Sequence, residues 1–147
     1  MVTSGRRMAL AALSALAAAS VFTAPANATV FNQEISVRPY AHITEDGSVT
    51  LSGAYRCEGA SPRGAVQVKA TVIQEGIRLT VAAGDARCDG ERHRWEARGS
   101  VRFTPGLHAG RAEAVAQLQE VHFSGLMPRS IDTLAEDGKN IEVFDHR

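Results

Sequence analysis

Asp89, Glu91 and His93 alternate directly after Cys88. On an extended segment they would project to one side as three oxygen and nitrogen donors, the kind of set a divalent metal uses. His122 follows a segment expected to run toward the same end of the molecule. Arg87, Arg92 and Arg94 are interleaved with these donors, and their charge repels a cation, so no metal is expected. A secreted copper site would want clustered Met and His, yet Met127 is the only methionine beyond Met8. Nucleophilic catalysis needs a Ser or Cys within reach of a His that a third group orients. There is no Gly-x-Ser-x-Gly elbow, and His42, His93, His108, His122 and His146 fall in no catalytic spacing. Asp85, Asp89 and Glu91 resemble the carboxylates of any charged loop, and no aromatic platform for a sugar accompanies them. Neither a catalytic residue nor a cofactor is assigned. Arg94, Arg98 and Arg102 share one face of a strand over about 26 Å, at about 3.3 Å per residue, and could touch wall phosphates. Glu96 interrupts that row, and an ordinary solvated face with cross-strand charge pairs is the expectation.

The chain that must position these residues has 147 residues, with 16 basic and 16 acidic side chains and 5% aromatic content. One domain is expected, and the balanced charge argues against a dedicated nucleic-acid binder. Arg6-Arg7, the Ala/Leu-rich run Met8 to Phe22 and Ala26-Asn27-Ala28 match the charged flank, apolar stretch and A-x-A site of a signal peptide. The run is short for a bilayer and ends in Pro25, so cleavage after Ala28 is expected rather than anchoring. Gly5 before the arginine pair and Met8-Ala9 after it fit a twin-arginine signal poorly, which favours Sec export. The expected division is residues 1–28 as signal peptide and 29–147 as a secreted domain, free of the membrane once processed.

Beyond residue 28 the dominant period is two. Val49, Leu51, Gly53, Tyr55 and Cys57 alternate with polar neighbours, and Trp95, Ala97, Gly99, Val101 and Phe103 alternate with Arg94, Glu96, Arg98, Ser100 and Arg102. Each segment reads as a half-buried strand, with Tyr55, Trp95, Phe103 and Phe123 in the core. Ala65–Gln74 and Ile77–Ala83 flank Glu75-Gly76, a connection of hairpin length. Arg111–Val121 places Ala112, Ala114, Ala116 and Leu118 on one face and is read as a strand, although its Ala, Glu, Gln and Leu are also helix formers. Arg129–Leu134 and Ile141–Phe144 follow, separated by an expected turn at Asp137-Gly138. Seven or eight such strands predict an all-β fold, an antiparallel immunoglobulin-like β-sandwich.

Counting strand directions adds a constraint. If Ser48–Cys57 runs up, the next two strands run down and up, so the Glu58–Arg63 and Gly84–Glu91 loops share one end. Cys57 and Cys88, the only cysteines, then lie together, and an even cysteine count in an exported chain reads as one disulfide. Closing a loop of about 32 residues contributes about 3.5 to 4 kcal/mol in the chain-entropy description.

The run Gly53-Ala54-Tyr55-Arg56-Cys57-Glu58-Gly59, then Cys88-Asp89-Gly90 with Trp95 shortly after, and Phe103-Thr104-Pro105-Gly106 resemble small secreted actinobacterial proteins of a domain-of-unknown-function family. That resemblance spans most of the chain beyond the signal. It implies export, a β-sandwich and one disulfide, and it implies no chemistry.

The sequence therefore leads to a secreted, non-catalytic binding or envelope-associated protein. The expected recognition surface is formed by the loops Glu58–Arg63, Gly84–Arg92 and His122–Pro128 at the disulfide end, with Arg63, Arg87, Asp89, Glu91, His93 and His122 as candidate binding residues. The partner would be an extracellular protein or an envelope component. One alternative is an inhibitor of an extracellular hydrolase, presenting Leu107-His108 or Leu126-Met127 on a protruding loop. The other is a small metal-dependent or hydrolytic enzyme.

Overall fold

A computed structural model of the chain describes residues 33–59 and 64–147. The expected signal peptide and Arg63 lie outside the described residues. Those described form eight strands: β1 (Glu34–Val37), β2 (Tyr40–Ile43), β3 (Ser48–Arg56), β4 (Gly64–Gln74), β5 (Ile77–Asp85), β6 (Arg92–Ser100), β7 (Gly110–Ser124) and β8 (Met127–Asp145). The protein is all-β, as the period of two requires.

Hydrogen bonding runs in the order β1-β3-β2-β8-β7-β4-β5, and β6 pairs with the other edge of β3. Every pair is antiparallel except β2 with β8, where Tyr40–Ile43 lies parallel to Glu142–Asp145. That corrects the purely antiparallel expectation. β2 bonds β3 through His42 and Ile43 and bonds β8 along its whole length, so this one short strand joins the two halves of the molecule.

The β7 segment, with its helix-forming composition, is a strand because pairing and burial outweigh propensity. It is paired on both sides, with β4 and with β8. Its alternate residues Ala112, Ala114, Ala116 and Leu118 are buried, whereas helix preferences among such residues amount to only a few tenths of a kcal/mol each. One core gathers Val37, Ile43, Val49, Leu51 and Trp95 together with Val68, Val72, Leu79, Leu118 and Val143.

Three sequence expectations are corrected. The strand carrying Trp95 ends at Ser100, not at Phe103, because Phe103 and Thr104 turn back onto the Ser100 and Val101 carbonyls. Phe103 is 88% exposed as a result. Asp137-Gly138 is not a turn but lies within β8, opposite Ala116 and Val115. The local turn preference loses there to a ladder that runs along all of β7, and the Asp137 carboxylate accepts the Val37 N–H at 2.9 Å. Leu107, offered above as part of an exposed loop, is buried at 2% exposure. The adjoining His108 is tied down by Gln74, whose Oε1 accepts the His108 N–H at 2.9 Å while its Nε2 donates to the carbonyls of His108 and Arg111.

Candidate functional site

The disulfide end is built as strand parity requires. Cys57 follows β3, Cys88 follows β5, and the two are bonded with their Cα atoms 4.5 Å apart. The Gly90 N–H donates to the Cys57 carbonyl at 2.9 Å, and the Ala86 N–H donates to the Val66 carbonyl at 2.7 Å, so the segment between β5 and β6 is held at both ends. Gly90 has φ +81 and packs beneath the Glu58 carboxylate, where a Cβ would come within 2.9 Å of Oε1. Any other residue there would meet both an unfavourable backbone and an occupied space.

Asp89, Glu91 and His93 do gather, but around Asp89 itself. Its Oδ1 accepts the Glu91 N–H at 2.9 Å and lies 2.8 Å from His93 Nε2. The His93 hydrogen bond, with the Glu91 N–H second, holds the Asp89 carboxyl below its ordinary value. Here Asp89 closes a turn and orients His93, and the histidine ring lies 5.5 Å from that of Tyr55. The Tyr55 hydroxyl in turn accepts the Arg87 N–H at 2.8 Å. Arg87 therefore joins the cluster through its backbone. His122 is engaged elsewhere: its Nε2 lies 3.0 Å from Asp132 Oδ2 on β8 and 3.9 Å from Glu120 Oε2. Among the described residues no group of three or more His, Cys, Asp or Glu side chains is arranged to hold a metal ion.

What stands out instead is the tip of the β7–β8 hairpin. β4 accompanies β7 only as far as Gly64 opposite His122. Beyond that point Phe123 pairs with Pro128, and Ser124 with Met127, across a two-residue turn of Gly125 and Leu126. Gly125 has φ +66, the left-handed conformation that such a tight turn needs at its first position. Leu126 is 98% exposed, Met127 71%, Ile131 57% and Phe123 43%. Phe123 was expected in the core. It is displaced because no third strand covers the hairpin at its level among the described residues. The Leu126-Met127 pair was legible as an apolar turn, whereas Phe123 joins it because β7 and β8 outrun β4, a mismatch of lengths that no local pattern encodes; Ile131 is exposed farther back on β8, opposite Val121, where β4 still pairs through Ala65.

The outer edge of β8 is also unpaired from Met127 up to the Glu142 register with β2, among the described residues. That edge is blunted. Arg129 and Leu134 are extra residues on β8, at the register shifts opposite His122/Phe123 and Leu118/Gln119, and Pro128 lacks an N–H to offer. These features make the edge a poor template for addition of another strand.

The chain belongs to a family of unknown function, DUF6299, whose pattern matches residues 4–144. No curated protein matches it. Among solved structures it is similar to murine CRIg, with 12% sequence identity and a TM-score of 0.37 over 78% of this chain and 98% of that one. It is also similar to Spo0M, a sporulation control protein from Bacillus subtilis, with 13% identity and a TM-score of 0.32. That match covers 79% of this chain and spans half of the Spo0M chain, 50%.

Proposed function

We propose that this member of the DUF6299 family is an exported binding protein, without catalytic activity, that engages a protein partner through the tip of its β7–β8 hairpin. The observation that carries the reading is the display of Leu126, Met127 and Phe123 on the two-stranded tip, with Ile131 exposed behind them on β8. Exposed apolar groups concentrated on one feature mark interaction sites more often than scattered ones do, and a partner that desolvates them gains the hydrophobic term. The domain behind the tip is read as an immunoglobulin-like sandwich. β6-β3-β1 forms one layer and β8-β7-β4-β5 the other, with β2 spanning them, and Gly99 of β6 lies close beneath Val81 and Leu79 of β5. Export rests on the Arg6-Arg7, Met8–Phe22 and Ala26-Asn27-Ala28 pattern, and the Cys57–Cys88 bridge agrees with an oxidising, extracellular setting.

A hydrolase inhibitor remains the runner-up. A two-residue turn presents no extended segment for a protease cleft, so binding by side-chain contact is preferred. The test uses the Thr29–Arg147 protein, immobilised, with cell-envelope and secreted proteins as prey. A partner retained by the wild type and released roughly thirtyfold more readily by the double variant Leu126→Asp and Met127→Asp, equivalent to about 2 kcal/mol, is the expected result. Both variants sit on exposed positions, so their thermal unfolding should match the wild type. Equal retention by wild type and variant, or no specific partner at all, overturns the proposal.

A further inference from the structure

The outer face of β1, β3 and β6 carries a second feature, independent of the hairpin. Register sets Arg56 of β3 directly opposite Arg92 of β6, and Ala54 opposite Arg94. On the other side of β3, Ser36 of β1 lies opposite Ala54. Two adjoining hollows of about 550 and 390 Å³ open on this face and share Ser36, Ala54 and Arg92 in their walls. Guanidinium groups line both: Arg56 the larger hollow, Arg38 and Arg94 the smaller, and Arg92 the two together.

Like charges directly opposite one another on adjacent strands destabilise a sheet. Arg56, Arg92 and Arg94 nevertheless have neither an ion pair nor a side-chain hydrogen bond among the described residues. The Arg38 guanidinium donates to the Tyr40 hydroxyl at 3.0 Å. The nearby carboxylates do not neutralise the cluster. Glu96 is taken up by Arg98 at 2.9 Å and Asp89 by His93, and Glu34, which register sets opposite Arg56 on the β1 side, flanks that one arginine and leaves Arg92 and Arg94 on the far side of β3. The unpaired cations are therefore not the Arg94, Arg98, Arg102 row that one strand alone suggests. They are a cluster drawn from β3 and β6, centred on Arg92.

We propose that this cluster is a binding seat for a phosphate-bearing ligand, with Arg56, Arg92 and Arg94 as its contacts. A phosphate group carries between one and two negative charges and several oxygens at neutral pH, and the planar fork of arginine matches it with paired N–H donors. Arg92 and Arg94 are two residues apart, about 6.6 Å along the strand, a separation that lets neighbouring phosphates of a chain each meet one guanidinium. Bound phosphate would also remove the repulsion between Arg56 and Arg92.

The experiment measures binding by calorimetry and thermal shift with Thr29–Arg147, in 150 mM NaCl so that unspecific attraction is screened. The probes are inorganic phosphate and a short inorganic polyphosphate. The wild type should be stabilised by at least one of them: a response to both assigns a single-phosphate seat, and a response to polyphosphate alone assigns a chain-binding one. Arg92→Gln should unfold about 1–4 °C higher than the wild type without ligand, because the repulsion is gone, yet bind at least tenfold more weakly. Arg92→Lys retains the charge without the fork and should fall between the two. Arg98→Gln, outside the seat, should bind as the wild type does. Lack of response to both probes, or an Arg92→Gln variant that binds as tightly as the wild type, overturns the proposal.

Discussion

Gly53 occupies a place where no side chain fits. A Cβ there would fall 1.8 Å from the Ser36 carbonyl oxygen and 2.7 Å from Trp95 Nε1, two atoms that are hydrogen-bonded to each other at 3.0 Å. The glycine lets β1 and the Trp95 indole close over β3, and its cost in backbone entropy is offset by that contact. Gly53→Ala must move the backbone of β1 and break the indole hydrogen bond, which should destabilise the fold by about 3 kcal/mol. Trp95 is the single tryptophan, so the same variant should shift its emission toward that of a solvated indole; unchanged emission and stability would refute the account. Tyr55 is similar in kind but depends on register. Its ring is buried, and its hydroxyl reaches the Arg87 N–H across the disulfide end.

Among the elements, β3 and β5 are the two that the disulfide staples, through the segment following each. The bridge closes a loop that contains β4, β5 and the turn between them, and so limits the unfolded chain more than it alters the folded one. Replacing both cysteines, Cys57→Ser and Cys88→Ser, should lower the unfolding free energy by about 3 kcal/mol in denaturant titrations. Reducing agent should destabilise the wild type and leave the double variant unaffected. A variant as stable as the parent would show that strand pairing alone determines this corner. The β7–β8 hairpin has the opposite character, since among the described residues its far end is paired only with itself, and its bulges at Arg129 and Leu134 disfavour further pairing along the free edge.

For the whole molecule, a loss of stability in acid is expected from two carboxylates, one in the turn between β2 and β3 and one at the end of β8. Asp46 is held at about 2, chiefly by the Thr44 hydroxyl and then by the Ser48 N–H. Asp145 is held at about 2 by its hydrogen bonds from Arg147. Both values lie below the ordinary 3.8, so each group favours the folded state above that pH, and the contribution fades as pH falls toward 2. Urea midpoints should therefore decline between about pH 4 and pH 2, and Asp46→Asn should flatten that decline; an identical pH profile for the variant would exclude Asp46 as a contributor. Much of this architecture was legible in the sequence because alternation is a local property. Val49, Leu51, Gly53 and Tyr55 declare their face through nearest neighbours alone, as do Ala112, Ala114, Ala116 and Leu118, and counting strand directions was enough to bring Cys57 to Cys88. The candidate surfaces were less legible. Asp89 and His93, three residues apart in the chain between them, were visible as a local group, whereas Arg56 faces Arg92 only by virtue of the β3–β6 register. Phe123 reaches solvent because neighbouring strands end at different levels, and Asp137-Gly138 continues a strand because β7 runs beside it. The sequence by itself determined the alternation of β3 and β7, the β4–β5 hairpin and the staple, since each follows from contacts between residues close along the chain or from parity. Only the tertiary structure decided the parallel β2–β8 pair, the exposed hairpin tip and the arginine cluster, because register and strand length are settled by partners far away in sequence.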